Sequence, residues 1–195
     1  MMRYSALAET IRSIHIIQEA ESLPTIYCDM DGVLTDFNQA IENMFKIPDT
    51  RTDLSPMRAA GYENAKEWLK APMSAEKWAP ITNYGMFWPA MPWTKDGKKL
   101  WTYIKKFKPH ILSAYTPFDK NSRKGKMLWV KRNLGISASN VHLVRRSEKK
   151  VYAKNNVLID DYGRNIKEWK KNKGIPVKHK SASETISQLR KIGYV

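Results

Sequence analysis

The sequence predicts an α/β fold in which helices cover both faces of a parallel sheet. Short apolar runs alternate with segments of helical length and spacing over residues 94–195. Another apolar run, at residues 26–28, is followed over residues 38–93 by helical patterns without strand alternation. These observations predict a core domain of residues 25–37 and 94–195, with a small helical cap of residues 38–93 inserted between its first and second strands. A chain of 195 residues is long enough for one such core.

The elements follow in chain order. Residues 1–24 precede the sheet, and isoleucines at helical spacing before Pro24 predict an amphipathic helix over residues 3–22 that packs on the core; a homodimer contact is the alternative. In the cap, helices are predicted at residues 39–45, 59–69 and 74–78, with Pro48 and Pro72 as breaks. The core then continues with helices at 93–107, 120–134, 162–171 and 183–192, a short basic helix around Lys149, and strands at 110–113, 141–144, 157–160 and 176–179.

Composition and charge narrow the class of protein. A hydrophobic content of 42% argues against disorder, and no apolar run approaches the roughly 18 residues of a membrane span. The single cysteine, Cys28, cannot form an internal disulfide, and no signal peptide is recognisable, so we expect a cytoplasmic protein. The net charge is −4 over residues 1–94 and +19 over residues 95–195. The basic half attracts phosphorylated partners, nucleic acid included, although most of its lysines suit solvated helix faces.

The first chemical motif is Asp-Met-Asp-Gly at residues 29–32, directly after the first apolar run. Two carboxylates at the end of a strand repel each other unless a cation or a shared proton compensates, and Mg²⁺ is the usual cation. A hairpin turn is the structural alternative. A calcium-binding EF-hand loop is excluded, because Val33 and Ala40 occupy positions that need oxygen ligands.

Four further polar residues stand at later strand ends or in the helix that follows one of them. Ser113 ends the second strand, Lys126 lies early in the next helix, and Asp160 and Asp161 end the strand at residues 157–160. Each alone has an ordinary structural explanation, such as a turn or a helix cap. Together they would meet at one edge of a parallel sheet, where ligands of such folds bind. The set predicts a divalent metal site beside groups that can hold a phosphate.

The order of these motifs resembles that of the haloacid dehalogenase superfamily of phosphohydrolases, over about residues 25–171. The resemblance implies a Rossmann-like core, Mg²⁺ as cofactor, Asp29 as nucleophile and Asp31 as general acid and base. It also implies metal ligation by Asp29, Asp31 (through its backbone carbonyl), Asp160 and Asp161, and phosphoryl binding by Ser113, Ala114 and Lys126. Lys124 competes with Lys126 for the lysine role; we prefer Lys126 because a tryptophan follows it three residues later.

Within that superfamily the chain is most similar to the 5′(3′)-deoxyribonucleotidases. The similarity lies in residues 29–37, in the aromatic and proline-containing residues 87–93, and in residues 158–161. It implies that aromatic side chains of the cap stack on a nucleobase, and the candidates are Phe37, Phe87, Trp88 and Trp93. Any one of them could instead belong to the core of the cap.

Three functions are compatible with these observations. The first is a Mg²⁺-dependent phosphatase, a phosphoric monoester hydrolase acting on small (deoxy)nucleoside monophosphates. The alternative is a phosphatase acting on phosphorylated ends of DNA or RNA, with a basic track formed by Arg145, Arg146, Lys149, Lys150 and Lys154. A nucleic-acid-binding protein without activity is the third. All four motif positions carry competent residue types, which favours an enzyme.

Overall fold

The computed structural model describes residues 23–195, so the helix predicted over residues 3–22 lies outside the described residues. The described chain forms a five-stranded parallel sheet in the order β3-β2-β1-β4-β5, flanked by helices. The predicted α/β fold is therefore confirmed. The strands are β1 (Ile26–Cys28), β2 (His110–Ala114), β3 (Val141–Val144), β4 (Val157–Asp160) and β5 (Ile175–Lys178).

The centre of the sheet is apolar on both faces. Every residue of β1 and β4 is buried, as expected for parallel strands covered by helices on both sides. Cys28, the last residue of β1, pairs with Ile111 of β2 and Ile159 of β4. The three central strands therefore run in register and end at the same edge of the sheet, so the polar residues that end or follow them lie together.

The first four helices between β1 and β2 each begin at a side-chain cap. The side chains of Asp36, Ser55, Asn64 and Ser74 accept a hydrogen bond from a backbone N–H in the first turn of the helix that follows. The helices are α1 (Phe37–Met44), α2 (Pro56–Ala59), α3 (Ala65–Lys70) and α4 (Ala75–Tyr84). The remaining helices are α5 (Gly97–Ile104), α6 (Asn121–Asn133), α7 (Gly163–Lys171) and α8 (Ala182–Ile192), and a 3₁₀ helix spans Arg146–Tyr152.

Three predicted helices have different bounds. The helix expected at 59–69 is divided between α2 and α3, because the chain turns at Gly61 (φ 88°) and restarts at the Asn64 cap. The helix expected at 74–78 continues to Tyr84 although Pro80 lacks a donor, since burial of Trp78 and Ile81 offsets the lost hydrogen bond. The helix expected from residue 93 begins at Gly97.

Aromatic rings form the interior of the cap. Trp78 and Trp88 are stacked with ring centroids 5.8 Å apart, and Phe37 contacts both of them. The indole of Trp88 also donates a 2.6 Å hydrogen bond to the buried carboxylate of Asp119, in the loop after β2. The cap helices are thus tied to the core beside the carboxyl edge of the sheet. Over the described range, no helix combines the length and apolar character that crossing a bilayer requires.

The histidine pair of the sheet gives a pH prediction. His110 Nδ1 and His142 Nε2 lie 2.9 Å apart on neighbouring strands, and burial lowers the pKa of both rings below the usual value. As the pH falls below about 6.5, the unfolded chain therefore binds protons that the folded chain does not, and the free energy of unfolding decreases. We expect a double variant, His110→Gln with His142→Gln, to lose less stability between pH 7.5 and 5.5 in urea titrations. Equal pH dependence of the two proteins would contradict this assignment.

Candidate active site

Three carboxylates meet at the carboxyl edge of the sheet. Asp29 follows β1, Asp160 is the last residue of β4, and Asp161 comes next. One carboxylate oxygen from each lies within 4.8 Å of the others; Asp29 and Asp160 are buried and Asp161 is exposed. Carboxylate oxygens are the hard donors that Mg²⁺ takes, and the ion keeps water or phosphate oxygens as its other ligands. These are three of the four aspartates predicted as metal ligands.

The glycine turn after β1 makes room for this cluster. Gly32 has a φ of 75°, and the carboxylate of Asp161 occupies the space that a Cβ at residue 32 would fill. The carbonyl of Met30 accepts hydrogen bonds from the N–H groups of Leu34 and Thr35, both at 2.8 Å, which folds the turn tightly. A residue with a side chain at position 32 would therefore strain the backbone and displace Asp161.

A buried lysine joins two of the carboxylates. The ammonium group of Lys149 lies 2.8 Å from Asp29 Oδ2 and 2.8 Å from Asp160 Oδ2. Lys149 projects from the 3₁₀ helix Arg146–Tyr152, and its side chain is only 3% exposed. The sequence predicts Lys149 only as one member of a basic track for nucleic acid. Nothing in its local sequence distinguishes it from the exposed Lys150 beside it, so the site role is visible only in the fold.

The buried charges shift each other's ionisation. Burial opposes ionisation of Asp29, but the positive charges of Lys149 and Lys126 outweigh it and leave the pKa of this carboxyl below its usual value. Burial, together with the charge of Asp29, raises the pKa of Asp160 to about 7. Asp161 is exposed toward the cavity, but the surrounding protein still removes part of its solvation, and this loss together with the charge of Asp29 raises its pKa. Asp29 is therefore the carboxylate of the cluster that most firmly keeps its negative charge, as a nucleophile requires.

Asp31 points to a second lysine. Its Oδ2 lies 2.5 Å from Lys126 Nζ, and its Oδ1 accepts a hydrogen bond from Thr35 at 3.1 Å. The Lys126 ammonium also donates to Ser113 Oγ at 3.2 Å and to the carbonyl of Ala114 at 2.6 Å. The structure thus brings together the predicted residues Asp31, Ser113, Ala114 and Lys126, although the Asp31 carboxylate is not part of the three-carboxylate cluster.

The two lysines differ in their remaining hydrogen-bonding capacity. An ammonium group has three hydrogens, and Lys126 uses all three on Asp31, Ser113 and Ala114. Lys149 uses two, on Asp29 and Asp160. Within residues 23–195, a third N–H of Lys149 is therefore left for a ligand held beside Asp29, whereas Lys126 can bind a ligand only by giving up a present partner.

A cavity of about 500 Å³ opens over this cluster. Its lining includes Asp29, Asp31, Asp161 and Lys149, here called the polar floor, and Phe37, Trp78 and Trp88, here called the aromatic wall. Arg146, Asn165 and the exposed Tyr162 line it as well. A volume of this size falls within the usual range for small-molecule sites.

The four predicted base-stacking residues have different positions. Phe37 and Trp88 line the cavity, although Trp88 is only 2% exposed. Among the described residues, neither Phe87 nor Trp93 is part of the lining: Phe87 packs edge-on against Phe37, and Trp93 contacts Trp129. Trp78 also lines the cavity. The sequence does not identify it as a base-stacking candidate, because its spacing is equally typical of a core residue.

Comparison with known proteins supports the fold. The sequence matches no family model and no curated protein. Among solved structures, a dehalogenase is 10% identical, with a TM-score of 0.50, over 81% of this chain and 85% of its own. An L-2-haloacid dehalogenase from Xanthobacter autotrophicus is 10% identical (TM-score 0.49, 89% and 85% covered), and a hydrolase from Pseudomonas syringae is 14% identical (TM-score 0.49, 89% and 92%). These similarities concern the fold alone, and the chemistry rests on the residues described above.

The Gly32 turn gives a prediction with an internal control. Gly32→Ala and Gly61→Ala both place a side chain at positive φ, which costs about 1–2 kcal/mol of stability. A Cβ at residue 61 meets nothing within 4 Å, whereas one at residue 32 meets the Asp161 carboxylate. We expect both variants to lose similar stability in urea titrations, and only Gly32→Ala to weaken Mg²⁺ binding in calorimetry. Equal Mg²⁺ affinity of the two variants would show that Asp161 does not need this turn.

Proposed function

We propose that the protein is a Mg²⁺-dependent phosphatase that hydrolyses (deoxy)nucleoside monophosphates to nucleoside and phosphate. The observation that carries this proposal is the ionised, buried Asp29 held between a lysine and two further carboxylates on the floor of a cavity with an aromatic wall. A phosphate bound on that floor would bring its phosphorus to Asp29, and an organic group attached to it would extend along the rings.

The carboxylates of Asp29, Asp160 and Asp161 are the residues that would hold Mg²⁺. When bound there, the ion would neutralise the charge of the phosphate and bring it to the carboxylate of Asp29. Loss of solvent contact, and after it the charge of Asp29, raises the pKa of Asp160 and Asp161, and the charge of a divalent cation would compensate for both effects.

Asp29 and Asp31 would share the chemistry in two steps. In the first, an oxygen of Asp29 attacks phosphorus, the bond from phosphorus to the ester oxygen breaks, and Asp31 gives a proton to the departing alcohol. In the second, Asp31 takes a proton from water, whose oxygen attacks phosphorus and releases phosphate and Asp29. The proton that Asp31 gives to the alcohol in the first step is regained from water in the second, so the residue returns to its starting state. Its carboxyl lies apart from the metal-binding cluster, and Lys126 and Thr35 fix its position.

Lys149 is the better candidate for direct phosphate binding. Its free N–H lies beside the nucleophile, and its charge compensates for the oxygens that become more negative during transfer. Lys126 would instead fix Asp31 and Ser113. The lysine role that the resemblance assigns to Lys126, with Lys124 as competitor, would therefore be divided between Lys149 and Lys126.

The aromatic wall favours a nucleotide over a sugar phosphate. Stacking of a base on an aromatic side chain contributes roughly 1–3 kcal/mol. Phe37, Trp78 and Trp88 line the cavity, and the half-buried Phe37 is the most accessible of the three, since Trp78 and Trp88 are buried. Asp36 and Asn38 also line the cavity and provide polar groups for the edge of a base or for a sugar hydroxyl.

The test is phosphate release from a panel of 5′- and 3′-deoxynucleoside monophosphates, ribonucleotides and sugar phosphates, with Mg²⁺ or with a chelator. We expect Mg²⁺-dependent turnover with nucleotides preferred. Asp29→Asn should reduce the rate by about a thousandfold or more, as for other nucleophile replacements, and Asp31→Asn by roughly 10²–10⁴-fold.

Asp49→Asn is the matched control, because Asp49 is an aspartate of the cap outside this cavity whose partner is Arg51. Full activity of the Asp29→Asn variant would contradict the role of the nucleophile. Equal turnover of nucleotides and sugar phosphates would contradict the role of the aromatic wall.

A further inference from the structure

Arg146 places a second cation in the cavity that the proposed reaction does not use. Arg146 and Lys149 lie three residues apart in the same 3₁₀ helix, a spacing that puts side chains on one side of such a helix. Both line the cavity. Lys149 contacts the carboxylates, whereas the Arg146 guanidinium pairs with Glu168, so the two cations serve different places in one cavity.

The charge of Arg146 is only partly compensated. Its Nη1 lies 2.9 Å from Glu168 Oε2, and Nε of Arg164 lies 3.1 Å from the other oxygen of the same carboxylate. Two guanidinium groups thus share one negative charge, which leaves one positive charge in excess. Because the Arg146 side chain is 30% exposed, that charge is accessible to a ligand in the cavity.

Arg146 also has hydrogen-bond donors to spare. Its Nη1 donates to Asn165 Oδ1 at 3.3 Å and to Glu168 Oε2. Within residues 23–195, neither Nε nor Nη2 of Arg146 takes part in a hydrogen bond. An arginine has five N–H donors in a planar fork, and such a fork binds phosphate oxygens in pairs.

Arg146 is linked to the acidic cluster through one side chain. The amide of Asn165 accepts from Arg146 and donates to Asp160 Oδ2 at 2.8 Å. Arg146 and Asp29 thus line one cavity and are linked through Asn165 and Asp160, so a single substrate molecule could contact both. We propose that Arg146 binds a second phosphate of the substrate, so that the preferred substrates are nucleotides with a phosphate at both the 5′ and the 3′ position. This inference rests on the proposed function, because it assumes that the first phosphate lies at Asp29.

A second phosphate can come from two sources, a nucleoside 3′,5′-bisphosphate or the phosphodiester that follows a phosphorylated nucleic-acid end. Both present the same group to Arg146. The excess of basic residues in the second half of the chain would raise the encounter rate with either. Lys149, by contrast, is buried among the carboxylates and is not part of a surface track.

The test compares thymidine 5′-monophosphate, thymidine 3′,5′-bisphosphate and a short 5′-phosphorylated oligonucleotide. Turnover is measured with the wild type, Arg146→Gln and Arg164→Gln. Binding of the same ligands is measured by calorimetry with Mg²⁺ and the same two substitutions in an Asp29→Asn background. Arg164→Gln is the matched control, since it also removes an arginine from Glu168, and Arg164 is not among the described residues that line the cavity.

We expect the second phosphate to increase kcat/KM and affinity by about tenfold, the effect of one hydrogen bond between charged groups. The ratio of the value for the substrate with two phosphates to that for the monophosphate should fall to about one in Arg146→Gln and stay at about ten in Arg164→Gln. A preference for the oligonucleotide over the bisphosphate would identify a nucleic-acid end as the source, and the reverse would identify the small molecule.

Two results would overturn the inference: a ratio near one in the protein with Arg146 present, or the same loss in both arginine variants. Failure of the proposed function would look different. In that case no phosphomonoester is hydrolysed, but the binding ratio and its dependence on Arg146 remain.

Discussion

The site depends on how its buried charges are compensated. Asp29 and Asp160 lie at the end of a sheet whose central strands are buried on both faces, where an uncompensated charge costs several kcal/mol. The ammonium of Lys149 contacts both carboxylates, and that of Lys126 contacts Asp31. These two lysines allow a dense group of aspartates to fold together before any cation binds. They also keep Asp29 ionised and hold Asp31 apart from the cluster, which under the proposed function would separate the nucleophile from the acid–base residue.

The aromatic wall of the cavity is built by hydrophobic packing. Trp88 is buried, stacks on Trp78 and is tied by its indole N–H to Asp119 of the core. The Lys126 ammonium lies 5.0 Å from the centre of the Trp88 ring, so the aromatic wall and the polar floor are in direct contact. A change in the packing of the cap would therefore reach Asp31 through Lys126. Under the proposed function, this tryptophan would couple substrate selection to the chemistry.

The sequence was sufficient for the fold and for the aspartates but not for every partner. Asp29, Asp160 and Asp161 could be predicted because each stands at the end of an apolar run, and parallel strands end at one edge. Lys149 could not, because its role depends on a 3₁₀ helix that turns one lysine of a basic segment inward. Helix bounds in the cap were predicted less well. Packing keeps one helix continuous through Pro80, whereas the turn at Gly61 and the cap at Asn64 divide a helix that the sequence predicts as one.

The central claim is that Asp29 attacks phosphorus and carries the phosphoryl group. It is tested most directly by quenching the Mg²⁺-loaded protein during turnover of a deoxynucleoside monophosphate, reducing it with borohydride and sequencing its peptides by mass spectrometry. An aspartyl-phosphate is reduced to homoserine, whereas a free carboxylate is not. We expect homoserine at position 29 only, and only when substrate is present. Homoserine at position 31, 160 or 161, or turnover without modification at any aspartate, would contradict the mechanism.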